Sequence, residues 1–125
     1  MIFHNKENFP ICQLNSNNIV RDCRHYAIGI RGGDTVLVSA NNIYNNNGGL
    51  YVDYGARNIM FNGNIIKSSK KAAFCIGNED KIINNNSKEC KNIVLTGNTF
   101  IDNKINLLED SEHLNCIEKN NIFIN

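Results

Sequence analysis

Apolar and polar residues alternate over short segments, and this alternation returns at intervals along the chain. The segments read AIGIRGG (27–33), GLYVDYG (49–55), AAFCIGN (72–78) and INLLEDS (105–111). Alternation with a period of two is typical of a β-strand that buries one face, whereas an amphipathic helix repeats near 3.6 residues. The pattern therefore predicts a first strand in each of four units, and no helix.

A second phrase recurs in phase with the first and contains a conspicuous asparagine. Its five copies are QLNSNNIVRD (13–22), LVSANNIYNN (37–46), IMFNGNIIKS (59–68), IVLTGNTFID (93–102) and NCIEKNNIFI (115–124). Each copy predicts a second strand, a polar corner and a short third strand. Because such units cannot bury their apolar faces alone, they must stack as the coils of a solenoid.

One asparagine in each copy is aligned as the corner residue. The aligned set is Asn18, Asn42, Asn64, Asn98 and Asn120, with Asn121 as a competing choice in the last copy. The steps between them are 24, 22, 34 and 22 residues. A polar loop insertion at 78–90 accounts for the long step.

Stacked coils place equivalent side chains about 4.8 Å apart, so like residues touch. An asparagine has an amide donor and an acceptor oxygen, and it tolerates the left-handed backbone of a sharp corner. The five corner asparagines are therefore predicted to form a hydrogen-bonded ladder. The same stacking predicts interior columns that contain Ile28, Ile30, Leu50, Val52, Phe74 and Ile76 from the first strands, and Ile19, Ile43, Ile65, Val20, Ile66, Phe100 and Ile122 around the corners.

The predicted fold is an all-β, right-handed parallel β-helix of about five coils of 22–24 residues. It forms a single domain over 1–125, with an irregular N-terminal lead at 1–10. The alternative is an antiparallel sandwich in which Asn47-Gly48 and Asn62-Gly63 make hairpin turns. A sandwich gives no reason for an asparagine to return at a fixed register.

Composition agrees with a repeat and limits the partners. Asparagine supplies 25 and isoleucine 18 of the 125 residues, which suits ladders, turns and apolar columns. A formal net charge of +1 lacks the basic footprint of a nucleic-acid-binding protein. The sequence contains no long apolar run, and neither a signal peptide nor a membrane contact is predicted. The basic turn of Lys67, Lys70 and Lys71 is interpreted as a solvated loop.

The five cysteines do not form a recognisable metal site or disulfide framework. Their number is odd, they contain no CxxC pair, and the histidines are scattered. We interpret them as buried thiols, which favours a reducing compartment or a fragment of a longer protein. No metal site and no cofactor are predicted from these residues, and the localisation stays open.

Over residues 11–125 the coil length, the asparagine column and the small-residue turn before each first strand resemble the parallel β-helix repeat of the pectate-lyase-like superfamily. The resemblance implies a C-terminal piece or short module of a carbohydrate-active protein, with a groove along the first-strand face. If the protein is an enzyme, the resemblance implies a polysaccharide lyase, an epimerase or a glycoside hydrolase. Calcium enters only through this resemblance.

Candidate binding residues lie on the outward side of the first strands. Tyr51 faces outward there, and Arg31 is predicted to lie directly over Asp53 on the next coil. With Tyr54 and Arg57 nearby, a ring, a guanidinium and a carboxylate could hold a sugar and its acid group. The alternative is an ordinary cross-strand charge pair.

Catalysis would need converging acid and base groups. Asp53 and Arg31 are the candidate catalytic residues on this face, and the other carboxylates considered are Glu79, Asp80, Glu89, Glu109 and Asp110. The sequence thus leaves two hypotheses, a module that binds or processes a polysaccharide and a non-enzymatic solenoid that stacks on a partner. Uncapped coil ends would also allow end-to-end stacking or a homo-oligomer.

Overall fold

A computed structural model describes residues 2–4, 11–77, 89–109 and 113–125. These residues form strands and no helix, so none of them belongs to a helix that could span a membrane. The strands are β1 (Ile2–His4), β2 (Ile11–Ser16), β3 (Ile19–Arg21), β4 (Tyr26–Arg31), β5 (Asp34–Ser39), β6 (Asn42–Tyr44), β7 (Gly48–Asp53), β8 (Arg57–Asn62), β9 (Ile65–Lys67), β10 (Ala72–Ile76), β11 (Cys90–Thr96), β12 (Thr99–Ile101), β13 (Ile105–Glu109), β14 (His113–Lys119) and β15 (Ile122–Ile124).

Each strand pairs in parallel with the strand three places further along the chain. Three five-stranded sheets result: the first-strand sheet β1-β4-β7-β10-β13, the second-strand sheet β2-β5-β8-β11-β14 and the third-strand sheet β3-β6-β9-β12-β15. This is a parallel β-solenoid of about four turns, which confirms the predicted fold and excludes the antiparallel sandwich.

The predicted lead and insertion fall mostly outside the described residues, which omit 5–10 and 78–88. The lead is not wholly irregular, because β1 lies within it and pairs with β4. Backbone hydrogen bonding to the edge of β4 explains this strand without any side-chain pattern.

The first strands stack in the predicted register. Ile28 lies beside Leu50 and Leu50 beside Phe74, and all three are nearly or fully buried. The prediction was wrong for the outer column of the third strands. Ile19 and Ile65 flank Asn42 and point outward, with 69% and 43% of their surface exposed. Ile122 continues this outward column after Thr99, whereas Val20, Ile43, Ile66 and Phe100 form the inward one.

The corner asparagines form a ladder, but two of its members differ from the prediction. The ladder consists of Asn18, Asn41, Asn64, Asn98 and Asn121, in which each Nδ2 donates to the next Oδ1 at 2.9–3.0 Å. Asn41 takes the place predicted for Asn42, and Asn121 that predicted for Asn120. The true steps are 23, 23, 34 and 23 residues.

Asparagine suits the ladder because both its amide oxygen and its amide nitrogen form hydrogen bonds there. Asn64 Oδ1 accepts from both the backbone nitrogen and Nδ2 of Asn41, at 3.1 and 2.9 Å. Asn64 Nδ2 donates one hydrogen to Val38 O and the other to Asn98 Oδ1, both at 2.9 Å. Asn64 is fully buried, and its amide has no unmet hydrogen bond.

The left-handed backbone conformation belongs to the residue before each ladder asparagine. This residue is Asn17, Ala40, Gly63, Gly97 or Asn120, with φ between 53° and 67°. Two adjacent residues therefore form each corner. The first turns the chain, and the second makes the side-chain hydrogen bonds between coils. Asn120 turns the chain, and Asn42 already belongs to the outward face of β6, which is why neither joins the ladder.

Side chains three residues earlier complete the hydrogen bonds at both ends of this ladder. Asn15 Oδ1 accepts from Asn18 Nδ2 at 2.6 Å, and Glu118 Oε1 accepts from Asn121 Nδ2 at 2.8 Å. In the other coils the equivalent residue is apolar, as Phe61 is before Asn64. The predicted end-to-end stacking stays a prediction, and it would have to compete with these bonds.

A second ladder, which the sequence reading missed, lies at the turn after the third strand. Asn46 Oδ1 accepts from the backbone nitrogen of Cys23 at 2.8 Å, and Asn103 Oδ1 accepts from that of Ser69 at 2.9 Å. Asn46 and Asn103 each follow the first ladder by five residues, as Cys23 and Ser69 do. This fixed offset is the signal that could have revealed them.

Candidate functional site

The predicted charge pair lies between neighbouring coils of the first-strand sheet. Arg31 on β4 is directly opposite Asp53 on β7, and Arg31 Nε lies 3.2 Å from Asp53 Oδ1. The Arg31 side chain is 23% exposed, whereas the Asp53 side chain is fully buried. The pairing agrees with the sequence prediction, but the burial of Asp53 was not foreseen.

Both oxygens of Asp53 are engaged by neighbouring side chains. The Tyr51 hydroxyl donates to Asp53 Oδ2 at 3.0 Å, and Arg31 bonds the other oxygen. The Arg31 guanidinium also lies over the Tyr54 ring, 4.4 Å from its centroid, in a cation–π contact. A carboxylate enclosed in this way cannot reach a substrate as a general base or nucleophile without a rearrangement of the cluster.

Two tyrosine rings, one on β4 and one on β7, contact each other on the first-strand sheet. The Tyr26 and Tyr51 rings stack with centroids 4.7 Å apart and an interplanar angle of 26°. A Cβ atom at Gly48 would lie 2.5 Å from the Tyr26 ring, and one at Gly77 would collide with the Tyr51 ring. Glycine on the following coil therefore leaves room for each ring. We call Tyr26 and Tyr51 the tyrosine platform; both side chains are partly exposed.

The other candidates occupy different positions. Arg57 starts β8 on the second-strand sheet, where its Nε bonds Asp34 Oδ2 at 2.9 Å. Bonds from Asn58 and then Arg57 lower the pKa of Asp34. Glu109 follows Ile76 in the inward column, so it does not share the Tyr51 face. Glu79, Asp80 and Asp110 lie outside the described residues.

Within the described ranges, no group of three or more His, Cys, Asp or Glu side chains is placed to hold a metal ion. The described part of the first-strand face is therefore an aromatic and hydrogen-bonded surface with one enclosed ion pair. Such a surface can bind a ligand through ring stacking and polar contacts.

Two thiols contribute to the core rather than to this surface. Burial raises the pKa of Cys90 to about 12 and that of Cys116 to about 11. Since the thiolate is the reactive species, both should be inert near neutral pH.

We therefore expect iodoacetamide at about pH 8 to modify Cys23, which is partly exposed, well before Cys90. Roughly one Cys90 thiol in ten thousand is ionised at that pH. Mass spectrometry of peptides from the folded protein measures the two rates, and a urea-unfolded sample should react at both positions. Equal rates in the folded protein would contradict the burial of Cys90.

Comparison with models of protein families, with curated proteins and with solved structures found no match. The strand pairing itself defines the class, a parallel β-solenoid whose coils are joined by internal asparagine ladders. Membership of the pectate-lyase-like superfamily stays a proposal.

Proposed function

We propose that this solenoid is a non-catalytic carbohydrate-binding module whose ligand lies along the first-strand face. The observation that carries the proposal is the tyrosine platform, in which two partly exposed rings stack on each other in the space that Gly48 and Gly77 leave open. Aromatic faces supply apolar contact area for the flat face of a sugar ring, and nearby polar groups fix its orientation.

Arg31 and Tyr54 border this platform. Their cation–π contact and the Arg31–Asp53 ion pair hold the surrounding side chains in one arrangement. Prior ordering reduces the conformational entropy that a ligand must overcome on binding. In this role Arg31 and Asp53 position the binding surface and do not take part in a reaction.

The enclosure of Asp53 argues for binding rather than catalysis. Lyase and hydrolase chemistry needs an accessible base or a pair of carboxylates around the scissile bond. Asp53 is buried between Arg31 and Tyr51, and Glu109 lies in a different column. The resemblance to carbohydrate-active β-helices supports the choice of ligand class.

Removing one ring of the platform should weaken glycan binding. We expect Tyr26→Ala to lower the affinity for a bound oligosaccharide about tenfold, the equivalent of one stacking contact of about 1.4 kcal/mol. Tyr51→Phe, which keeps the ring, should bind as the unmodified protein does. The measurement is a glycan-array screen followed by calorimetric titration of the neutral oligosaccharides that bind best.

Met60→Ala provides the control, because Met60 is an exposed apolar side chain on the second-strand sheet, away from the platform. Unchanged affinity in Tyr26→Ala, or no glycan bound by the unmodified protein, would refute the proposal and favour an interaction solenoid. Release of reducing or unsaturated ends from any bound polysaccharide would show instead that the module is catalytic.

A further inference from the structure

Basic side chains gather along one edge of the solenoid, at the turn from the third strand of one coil to the first strand of the next. We call this set the basic edge; it consists of Arg21, Arg24, Lys67, Lys70, Lys71 and Lys104, all exposed. In the sequence these residues are far apart, and Lys67, Lys70 and Lys71 alone suggested a solvated loop. Stacking of the coils brings the separate groups together.

The strand register and turn hydrogen bonds place these residues on successive coils. Arg21, Tyr44 and Lys67 are direct neighbours in the third-strand sheet. The backbone nitrogen of Lys70 bonds Asn46 O at 3.0 Å, and that of Lys104 bonds Ser69 O at 3.2 Å, so their turns also stack. At about 4.8 Å per coil, the edge extends roughly 14 Å along the solenoid axis.

Few acidic side chains offset these charges. The same turns contain Asp22 and Asp102, and Asp22 accepts from Asn45 at 2.7 Å and lies 3.8 Å from Arg21. Among the described residues, Lys67, Lys70, Lys71 and Lys104 have no ion pair. Six cations against two carboxylates leave four positive charges on this edge of a chain whose net charge is +1. A local concentration of one sign attracts ligands of the other.

A hollow of about 350 Å³ opens beside the basic edge. It is lined by Asn42, Tyr44, Asn45, Lys67 and Ser68. Tyr44 is partly buried and presents a ring, while the amides, the hydroxyl and the ammonium group offer hydrogen bonds to a polar ligand. This combination fits a sugar ring that carries a carboxylate or sulfate group.

We propose that the basic edge binds an acidic polysaccharide along the solenoid axis, with one acidic sugar seated in the hollow at Tyr44. The cations follow one another along the solenoid axis and do not cover a whole sheet. A single polymer chain with repeated negative charges matches this arrangement. Tyr44 is the aromatic residue that lines the hollow, whereas single-stranded nucleic acid is usually held by several stacking rings. The hollow is lined by β6, β9 and the turns that follow them, whereas Tyr26 and Tyr51 lie on the first-strand sheet, so different variants test the two sites separately.

The test is a titration of the full chain with polygalacturonate oligomers and with a sulfated oligosaccharide. We expect Lys67→Gln/Lys70→Gln to weaken binding about tenfold and Tyr44→Ala to weaken it by a similar factor, with Tyr44→Phe close to the unmodified protein. Binding should weaken as the salt concentration rises from about 50 mM to about 200 mM. Binding releases counterions from the charged polymer, and added salt opposes that release. Lys91→Gln/Lys119→Gln removes two exposed lysines from the second-strand sheet and should leave the affinity unchanged.

Three results would overturn this proposal. Equal weakening by the two double variants would mean that net charge alone attracts the polymer. Equal affinity for a neutral polysaccharide would remove the role of the cations, and tighter binding of single-stranded DNA would identify a different partner. The Tyr26→Ala variant should retain acidic-polymer binding at this edge, which separates failure here from failure of the tyrosine platform.

Discussion

Replacing Asn41 with alanine should lower the free energy of unfolding by about 3 to 5 kcal/mol, a loss at the upper end for single substitutions. The Asn41 side chain makes four hydrogen bonds, to Asn18 N, Asn18 Nδ2, Asn15 O and Asn64 Oδ1. Alanine would remove all four bonds. Asn18 Nδ2 would keep its bond to Asn15 Oδ1 and Asn64 Oδ1 would keep that from the Asn41 backbone nitrogen, whereas Asn18 N and Asn15 O would lose the amide that bonds them here. Each buried, unsatisfied polar group costs about 1 to 3 kcal/mol.

The neighbouring residue supplies the control. Asn42 has the same side chain but lies exposed on the outer face of β6, so Asn42→Ala should change stability by less than about 0.5 kcal/mol. Urea unfolding followed by circular dichroism measures both variants, and the slope should be compared because repeat proteins can lose cooperativity. Similar losses at the two positions would contradict the ladder as described.

The Asn-Asn dipeptides explain why sequence reasoning found the ladder but misplaced two members. At 41–42 and 120–121 either asparagine fits the phrase, and the apolar pattern alone does not decide between them. The missing criterion was the left-handed residue, which Gly63 and Gly97 mark in two copies. Aligning each copy on the residue after that position selects Asn41 and Asn121.

The fold was predictable because stacking imposes one rule on every coil. The alternation of Ile28, Leu50 and Phe74 fixed the inward face of the first strands without knowledge of any contact. The same rule gave Arg31 its position opposite Asp53. Sequence spacing therefore carried both the architecture and the cross-coil register.

The state of the candidate site was less predictable, because it depends on how side chains fold over one another. Nothing in the spacing shows that the Tyr51 hydroxyl turns back to Asp53 or that Asp53 loses all contact with solvent. The basic edge was also hidden, since Arg21 and Lys104 lie along one edge only when four coils have stacked. The formal net charge of the whole chain is only +1, so it does not reveal a local group of positive charges.

Replacing Arg31 with methionine should destabilise the solenoid by about 3 kcal/mol, because the substitution strands a buried carboxylate. Asp53 would keep the Tyr51 hydroxyl but lose the cation that offsets its charge. Asp53→Asn should restore part of the loss in the double variant, since an amide removes the uncompensated charge and can still accept from Tyr51. A double-mutant cycle by urea unfolding measures this coupling.

The chain contains its own exposed counterpart of this ion pair. Arg57 and Asp34 are also directly opposite on neighbouring coils, with Nε–Oδ2 at 2.9 Å, but the Arg57 side chain is 47% exposed. Solvent screens such a pair, so Arg57→Met should cost less than about 1 kcal/mol. If Arg31→Met and Arg57→Met prove equally costly, burial of Asp53 cannot be the cause of the expected loss. If instead only Arg31→Met is costly and the coupling to Asp53 is large, the buried ion pair stabilises the solenoid and holds Tyr51 and Tyr54 in position.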